Sequence, residues 1–358
     1  MKSNTNNRVE YIDALRGMTM ILVVYSHIAN LGLVNVNMAY NNVFMTFRMP
    51  TFFFISGWVF YKADRIWNKD TIWSIIKKKF MVQIIPFLIF LLLYMYLFFN
   101  VPGHCNSFED KYGYWFTLSL FEYFIIYIAV EALFNKQHTN RKEIIVMSIM
   151  FALSIIAFYY GQVKFVVNIG IWRPILTFLS FTKIKYIIFF WFGTFVKKNF
   201  DKFIRITDNQ YMIAVCLCLF LFTIIGPFDY NNIEFQFITY LFAGLTGIII
   251  VFTFFRRNES LFSKNTRIGF VLQYVGQRTL DIYLLHYLFL PNHMTQIGTW
   301  LSQYSNKSID MLIILVISLW ITAITLIISN IIRLSPFLGH YLFGVKRTPL
   351  KVKSESKL

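Results

Sequence analysis

Charge is scarce in this chain, and acid is scarcer than base. Charged residues fill 14% of its 358 positions, where a soluble globular domain carries about 25%. That shortfall, with 57% hydrophobic residues and a mean hydropathy of +0.56, excludes an ordinary soluble fold. Cysteine is equally sparse: Cys105, Cys216 and Cys218 are too few for a disulfide framework. The last two lie two apart in an apolar run with no histidine nearby, so they read as small packing residues on different helix faces rather than as a metal pair. No internal repeat, Pro/Ser-rich linker or low-complexity tract divides the chain. It therefore reads as one domain, residues 1–335, followed by a short basic tail, 336–358.

What is present is apolar sequence in membrane-length pieces. About 20 apolar residues cross a bilayer as a helix, and such runs recur at roughly 12–33, 42–61, 80–100, 112–134, 144–161, 183–197, 211–227, 233–255, 268–290 and 310–332. The expected fold class is all-α, a polytopic integral membrane bundle of about ten transmembrane helices. The sixth run is short, and FVVNIGIWRPILTFLSF before it reads as a re-entrant or surface segment, or an eleventh span. The polar start MKSNTNNRVE is followed by no small-residue cleavage pattern, so the first run reads as a span and not as a leader.

The basic residues test this layout. With the N-terminus in the cytoplasm, the inside segments hold 25 lysines and arginines and the outside segments 6, and Arg16, Arg48 and Arg278 fall within spans. That bias places both termini in the cytoplasm. It also accounts for the net charge of +17 without nucleic acid, since most of these side chains would meet anionic lipid headgroups.

The remaining signal is polar residues inside the spans. In YIDALRGMTMILVVYSHI, the eleven steps from Arg16 to His27 turn a helix about 20° past three full turns, placing both on one face about 16 Å apart. Asp13 stands one turn before Arg16, within reach of an i,i+3 ion pair. The ninth run carries Thr279, Tyr283 and His286 on one face, with Asp281 pointing elsewhere. Two histidines at similar depth suggest one polar cavity. Ser56-Gly57 in the second run offers a small surface for helix packing. Glu122 lies mid-membrane in the fourth, where a carboxylate costs roughly 2.5–3.5 kcal/mol unless it is protonated, paired or wet.

These residues form a recognisable set. Tyr-Ile-Asp-Ala-Leu-Arg-Gly followed by His27 resembles the first-helix signature of the acyltransferase family 3 membrane proteins. MPTFFFISGW resembles that family's second-helix motif and LDIYLLHYL its late Tyr-x-x-His motif, while WFTLSLF resembles the branch containing fucose 4-O-acetylase-like proteins. The resemblance implies a multi-pass O-acyltransferase of a bacterial inner (plasma) membrane, with acetyl-CoA as acyl donor and a surface or lipid-linked carbohydrate as acceptor. It maps the family's arginine and histidine to Arg16 and His27, and its late histidine to His286. Members often carry an arginine pair entering the third helix; here KKKFMVQIIP offers Lys77, Lys78 and Lys79, with Gln83 further on. Lysine binds phosphate as a point charge without arginine's fork. On this reading Arg16 and the lysines hold coenzyme A and His27 is the general base. Ser56, Tyr283 and His286 are candidate oxyanion donors, and no metal is required. An acyl-histidine intermediate is the mechanistic variant. A transporter or flippase of a lipid-linked sugar is the competing class, although the paired broken repeats common in transporters are not evident; a scaffold or sensor is a third. The oligomeric state is left open.

Overall fold

A computed structural model describes residues 8–33, 36, 39–98, 110–134, 140–163, 172–225, 233–291, 294–304 and 306–345. Cys105, Lys164 and residues 346–358 of the tail lie outside the described residues. Every regular element described is helical. This follows from the chain's composition, because a helix satisfies its own backbone hydrogen bonds where no water is available.

In chain order the helices are α1 (Glu10–His27, continued by a π-helical turn Ile28–Gly32), α2 (Ala39–Phe60), α3 (Lys69–Lys79), α4 (Ile85–Phe98), α5 (Trp115–Leu133), α6 (Asn140–Val163), α7 (Trp172–Phe178) and α8 (Ile187–Lys198). They continue with α9 (Phe200–Thr207), α10 (Gln210–Ile225), α11 (Ile233–Arg257), α12 (Arg267–Gln277), α13 (Thr279–Leu285), α14 (Thr295–Tyr304), α15 (Lys307–Arg333) and α16 (Pro336–Phe343). Among the described residues seven helices are long and apolar enough to cross a membrane, or nine if two bent pairs each make one span. The bent pairs are α7 with the helical stretch ending in α8, bent by 52°, and α9 with α10, bent by 81°.

Helix lies within each of the ten apolar runs, but at most nine spans among the described residues are long and apolar enough to cross a membrane, and three regions differ from expectation. The third begins earlier: α3, a π-helical turn (Phe80–Ile84) and α4 form one helix of 30 residues from Lys69 to Phe98, so Lys77–Lys79 ride on a helix rather than on a loop. In the stretch before the sixth, residues 165–171 lie outside the described residues, and α7 joins the helical stretch ending in α8 as a pair bent by 52°. The ninth is no single helix; it breaks at Arg278 (φ −112°, ψ 17°) into α12 and α13. The boundary drawn at 335/336 falls within packed structure, since α16 follows directly and its Phe343 is buried against Phe90 of α4.

Glycines set the closest helix contacts. A Cβ on Gly17 would strike the backbone of Leu272, and one on Gly276 the backbone of Asp13, so α1 and α12 meet backbone to backbone. The predicted small surface at Ser56-Gly57 works the same way: Gly57 faces the Phe190 backbone of α8, and Gly193 returns the contact to Phe54. Cys216 is buried and Cys218 exposed on α10, as their two-residue spacing on a helix requires.

Candidate active site

A cavity of about 510 Å³ opens along one stripe of α1, formed by Arg16, Met20, Val23 and His27. These positions recur at four, three and four residues, the spacing of a single helix face. A stripe of α2 (Arg48, Met49, Phe52, Ser56) faces it, and Lys78, Lys79 and Gln83 of the long third helix close another side. The ninth-span pieces supply Thr279, Tyr283 and Tyr287. Arg16 and His27 therefore share one cavity, at opposite ends of a helical stretch about 16 Å long.

At one end two histidines meet. His286 is fully buried, and its Nδ1 lies 3.0 Å from the carbonyl oxygen of Ile282. A carbonyl only accepts, so that Nδ1 carries the proton and Nε2 is left as an acceptor. His27 Nδ1 lies 2.8 Å from it and must be the donor. The proton order runs from one backbone carbonyl through two imidazoles, and it leaves Nε2 of His27 as an acceptor. The rings lie nearly parallel, 11° apart with centroids 5.0 Å apart. Of the two, only His27 lines the cavity; His286 stands behind it.

The Tyr287 hydroxyl approaches His27 Nε2 at 3.2 Å and the Gly113 carbonyl at 3.2 Å. Its single proton can serve one of them at a time. An oxygen atom can thus sit within hydrogen-bond reach of the basic nitrogen, which is the geometry a general base needs toward a hydroxyl. Gly113 belongs to a short left-handed run, Lys111 (φ 51°), Tyr112 (φ 52°) and Gly113 (φ 96°). Its carbonyl also accepts from Tyr283 at 2.9 Å.

At the other end Arg16 donates to Thr279 Oγ1 at 3.3 Å, which ties α1 to the start of α13. Lys79 lies over the Phe124 ring at 3.7 Å and Arg65 over Phe60 at 4.6 Å. Arg65 sits in the link between α2 and α3, where burial lowers its guanidinium from the usual range, and nearby Tyr127 offsets this in part. An arginine so shifted still carries its charge at physiological pH.

Several sequence expectations change here. Asp13 makes no ion pair with Arg16; it pairs with Arg8 and accepts from Gln277 at 3.4 Å. The cause is the glycine contact, which presses the Asp13 backbone against α12 while Arg16 faces the cavity. Lys77 is exposed and does not line the cavity, whereas Lys78 and Lys79 do. Three consecutive helical residues fan over about 200°, so one opening cannot hold all three. Glu122 also lies off the cavity, with both carboxylate oxygens buried and without hydrogen-bond partners. The three candidate oxyanion donors have their protons engaged: Ser56 donates to the Phe52 carbonyl at 2.8 Å, Tyr283 to Gly113, and His286 to Ile282.

Sequence reasoning passed over Arg65, counted there only among the basic residues of an inside segment, and two further cavity residues. Arg48 was visible only as an arginine within a span, and Tyr287 only as the neighbour of His286. Their positions beside His27 arise from helix packing that no local pattern encodes. Asp281, expected to point away from the Tyr283 face, does so: Arg333 Nε and Nη2 grip it at 2.7 and 2.8 Å, and Ser329 also donates to it. This clamp fixes α13, and with it His286, against α15.

The fold and site together are those of a multi-pass membrane bundle whose cavity is lined by His27 and by basic side chains. The family model described as "Acyltransferase domain", that of acyltransferase family 3, matches residues 9–344. The chain belongs to this family, and the match places an acyltransferase domain over nearly its whole length. Neither a curated protein nor a solved structure matches it.

Proposed function

We propose that this protein moves an acyl group, acetyl by the family's default, from acetyl-CoA to a hydroxyl of a surface or lipid-linked carbohydrate. The observation that carries this reading is the proton order at His27. The Ile282 carbonyl orients His286, His286 Nε2 accepts the hydrogen bond of His27 Nδ1–H, and Nε2 of His27 is left as an acceptor beside the cavity.

The donor enters from the cytoplasmic side, where the positive-inside bias puts Arg16, Arg65, Lys78 and Lys79. These cations suit the phosphates of coenzyme A. The neutral pantetheine arm extends along the α1 stripe and delivers the thioester to His27. The acceptor hydroxyl approaches from the opposite side and reaches the cavity face of His27 Nε2, with the Tyr287 hydroxyl beside it. His27 Nε2 removes its proton as the oxygen attacks the thioester carbon; the tetrahedral intermediate collapses and the thiolate leaves, taking a proton from the imidazolium. An imidazole of near-neutral unperturbed pKa suits both transfers. His286 is a positioning residue on this account, because it touches His27 and not the substrates.

The test is transfer of label from radiolabelled acetyl-CoA to glycan by membranes carrying the protein. His27→Ala should abolish transfer, at least a hundredfold, while the protein expresses and purifies as before. Retained transfer would remove His27 from the mechanism.

A further inference from the structure

We propose that the acceptor is anionic, with a carboxylate or phosphate on or next to the sugar that receives the acyl group, and that Arg48 binds that charge. The inference rests on the acyl-transfer reading above and names the acceptor's chemistry.

Among the described residues the cavity is lined by five cationic side chains, Arg16, Arg48, Arg65, Lys78 and Lys79, and by no aspartate or glutamate. Four of them belong together, because Lys79 lies within electrostatic reach of Arg16, Arg65 and Lys78. Arg48 stands apart. It is 7% exposed, its Nη1 donates to the Val23 carbonyl at 3.2 Å, and its Nε has no partner. Val23 lies four residues before His27 and seven beyond Arg16, so the guanidinium is anchored about 6 Å of helix rise from the base and about 10 Å from Arg16. Among the described residues no ion pair involves Arg48.

A buried charge without a counter-charge is expensive, and such groups persist where a ligand completes them. The donor cannot complete this one. Its phosphates meet the four-cation end, and the part that reaches His27, the pantetheine arm and thioester, is neutral. The counter-charge must arrive with the acceptor. An arginine offers a planar fork that fits carboxylate and phosphate oxygens together, and the free Nε is one tine of it. A neutral sugar would leave that tine without a counter-charge.

The experiment begins with surface glycans from cells making the wild-type protein or His27→Ala. Mass spectrometry identifies the sugar that loses its acyl ester. A uronic or other acidic sugar, or one bearing or adjoining phosphate, is expected; a neutral sugar with no such neighbour overturns the proposal. Loss of no ester anywhere refutes the acyl-transfer reading, and the acceptor proposal falls with it.

The unacylated glycan is then offered to wild-type membranes in native, carboxyl-reduced and dephosphorylated forms. Neutralising the relevant group should raise KM at least about tenfold, the weight of one hydrogen bond to a charged group; an unchanged KM for both treated forms overturns the proposal. The two treatments distinguish carboxylate from phosphate without any variant that might misfold. Arg48→Gln should erase the discrimination and Arg48→Lys keep part of it. An equal fall in kcat on native and neutralised glycan would make Arg48 an oxyanion group and also overturn the proposal.

Discussion

At the scale of single residues, the site turns on which nitrogen carries a proton. The Ile282 carbonyl settles this for His286 and, through it, for His27. His286→Asn keeps a side-chain acceptor toward His27, whereas His286→Ala removes it. The alanine variant should lower kcat by about 10–100-fold, by analogy with the loss of a partner that fixes the tautomer and ring orientation of a metal-bound histidine, and shift the pH–rate profile of transfer. The asparagine variant should recover part of both. Equal losses with an unshifted profile would show that His286 only fills space. The lysines give a sharper contrast. Lys78→Gln and Lys79→Gln should each raise the apparent KM for acetyl-CoA several-fold, since each removes one charge-assisted contact. Lys77→Gln, facing away from the cavity, should leave it unchanged; a matching rise for Lys77 would mean that the donor binds outside this cavity. Arg16 and His27 were legible as a pair because both lie on one helix and its pitch alone aligns them. The pairing of Asp13 was not, because it depends on where α12 presses.

The elements matter through their irregularities. The break at Arg278 separates α13 from α12, and the Asp281–Arg333 clamp holds α13 against α15. The left-handed run at residues 111–113 lays the Gly113 carbonyl under both Tyr283 and Tyr287. Gly113→Ala meets two obstacles at once. Its φ of 96° disfavours any Cβ, and that Cβ would collide with the Tyr287 ring. Such strain costs about 1–3 kcal/mol, and relief requires Tyr287 to move off His27. Transfer should fall more than tenfold, with a melting temperature lowered by only a few degrees; full activity would show that Tyr287 is not needed where it stands. The glycine pair at α1 and α12 was half legible: Gly17 is visible in the first motif, but its partner Gly276 is known only once the helices are packed.

For the whole molecule, hydropathy and charge predict how the bundle sits in its membrane. The segment between α11 and α12 belongs to the cytoplasmic set, and that between α13 and α15 to the outside set. A single cysteine at Asn265 should react with an impermeant maleimide only after cells are opened, and one at Gln303 should react in intact cells. The reverse pattern would invert the bundle and bring coenzyme A to the wrong end of the cavity.

Composition alone determined that this is a helical membrane protein, because so apolar a chain has few other ways to satisfy its backbone. The motifs determined its family, and the helical repeat determined that Arg16 and His27 share a face. Each of these is a property of a chain read along one dimension. Only the tertiary structure decided that His286 backs His27, that Lys77 is excluded from the cavity, that Asp13 turns to Arg8 and Gln277, and that Arg48 is the cation beside the base. Those facts depend on contacts between residues hundreds of positions apart, or on the direction a helix presents to its neighbours. Packing fixes both, and no local pattern records them.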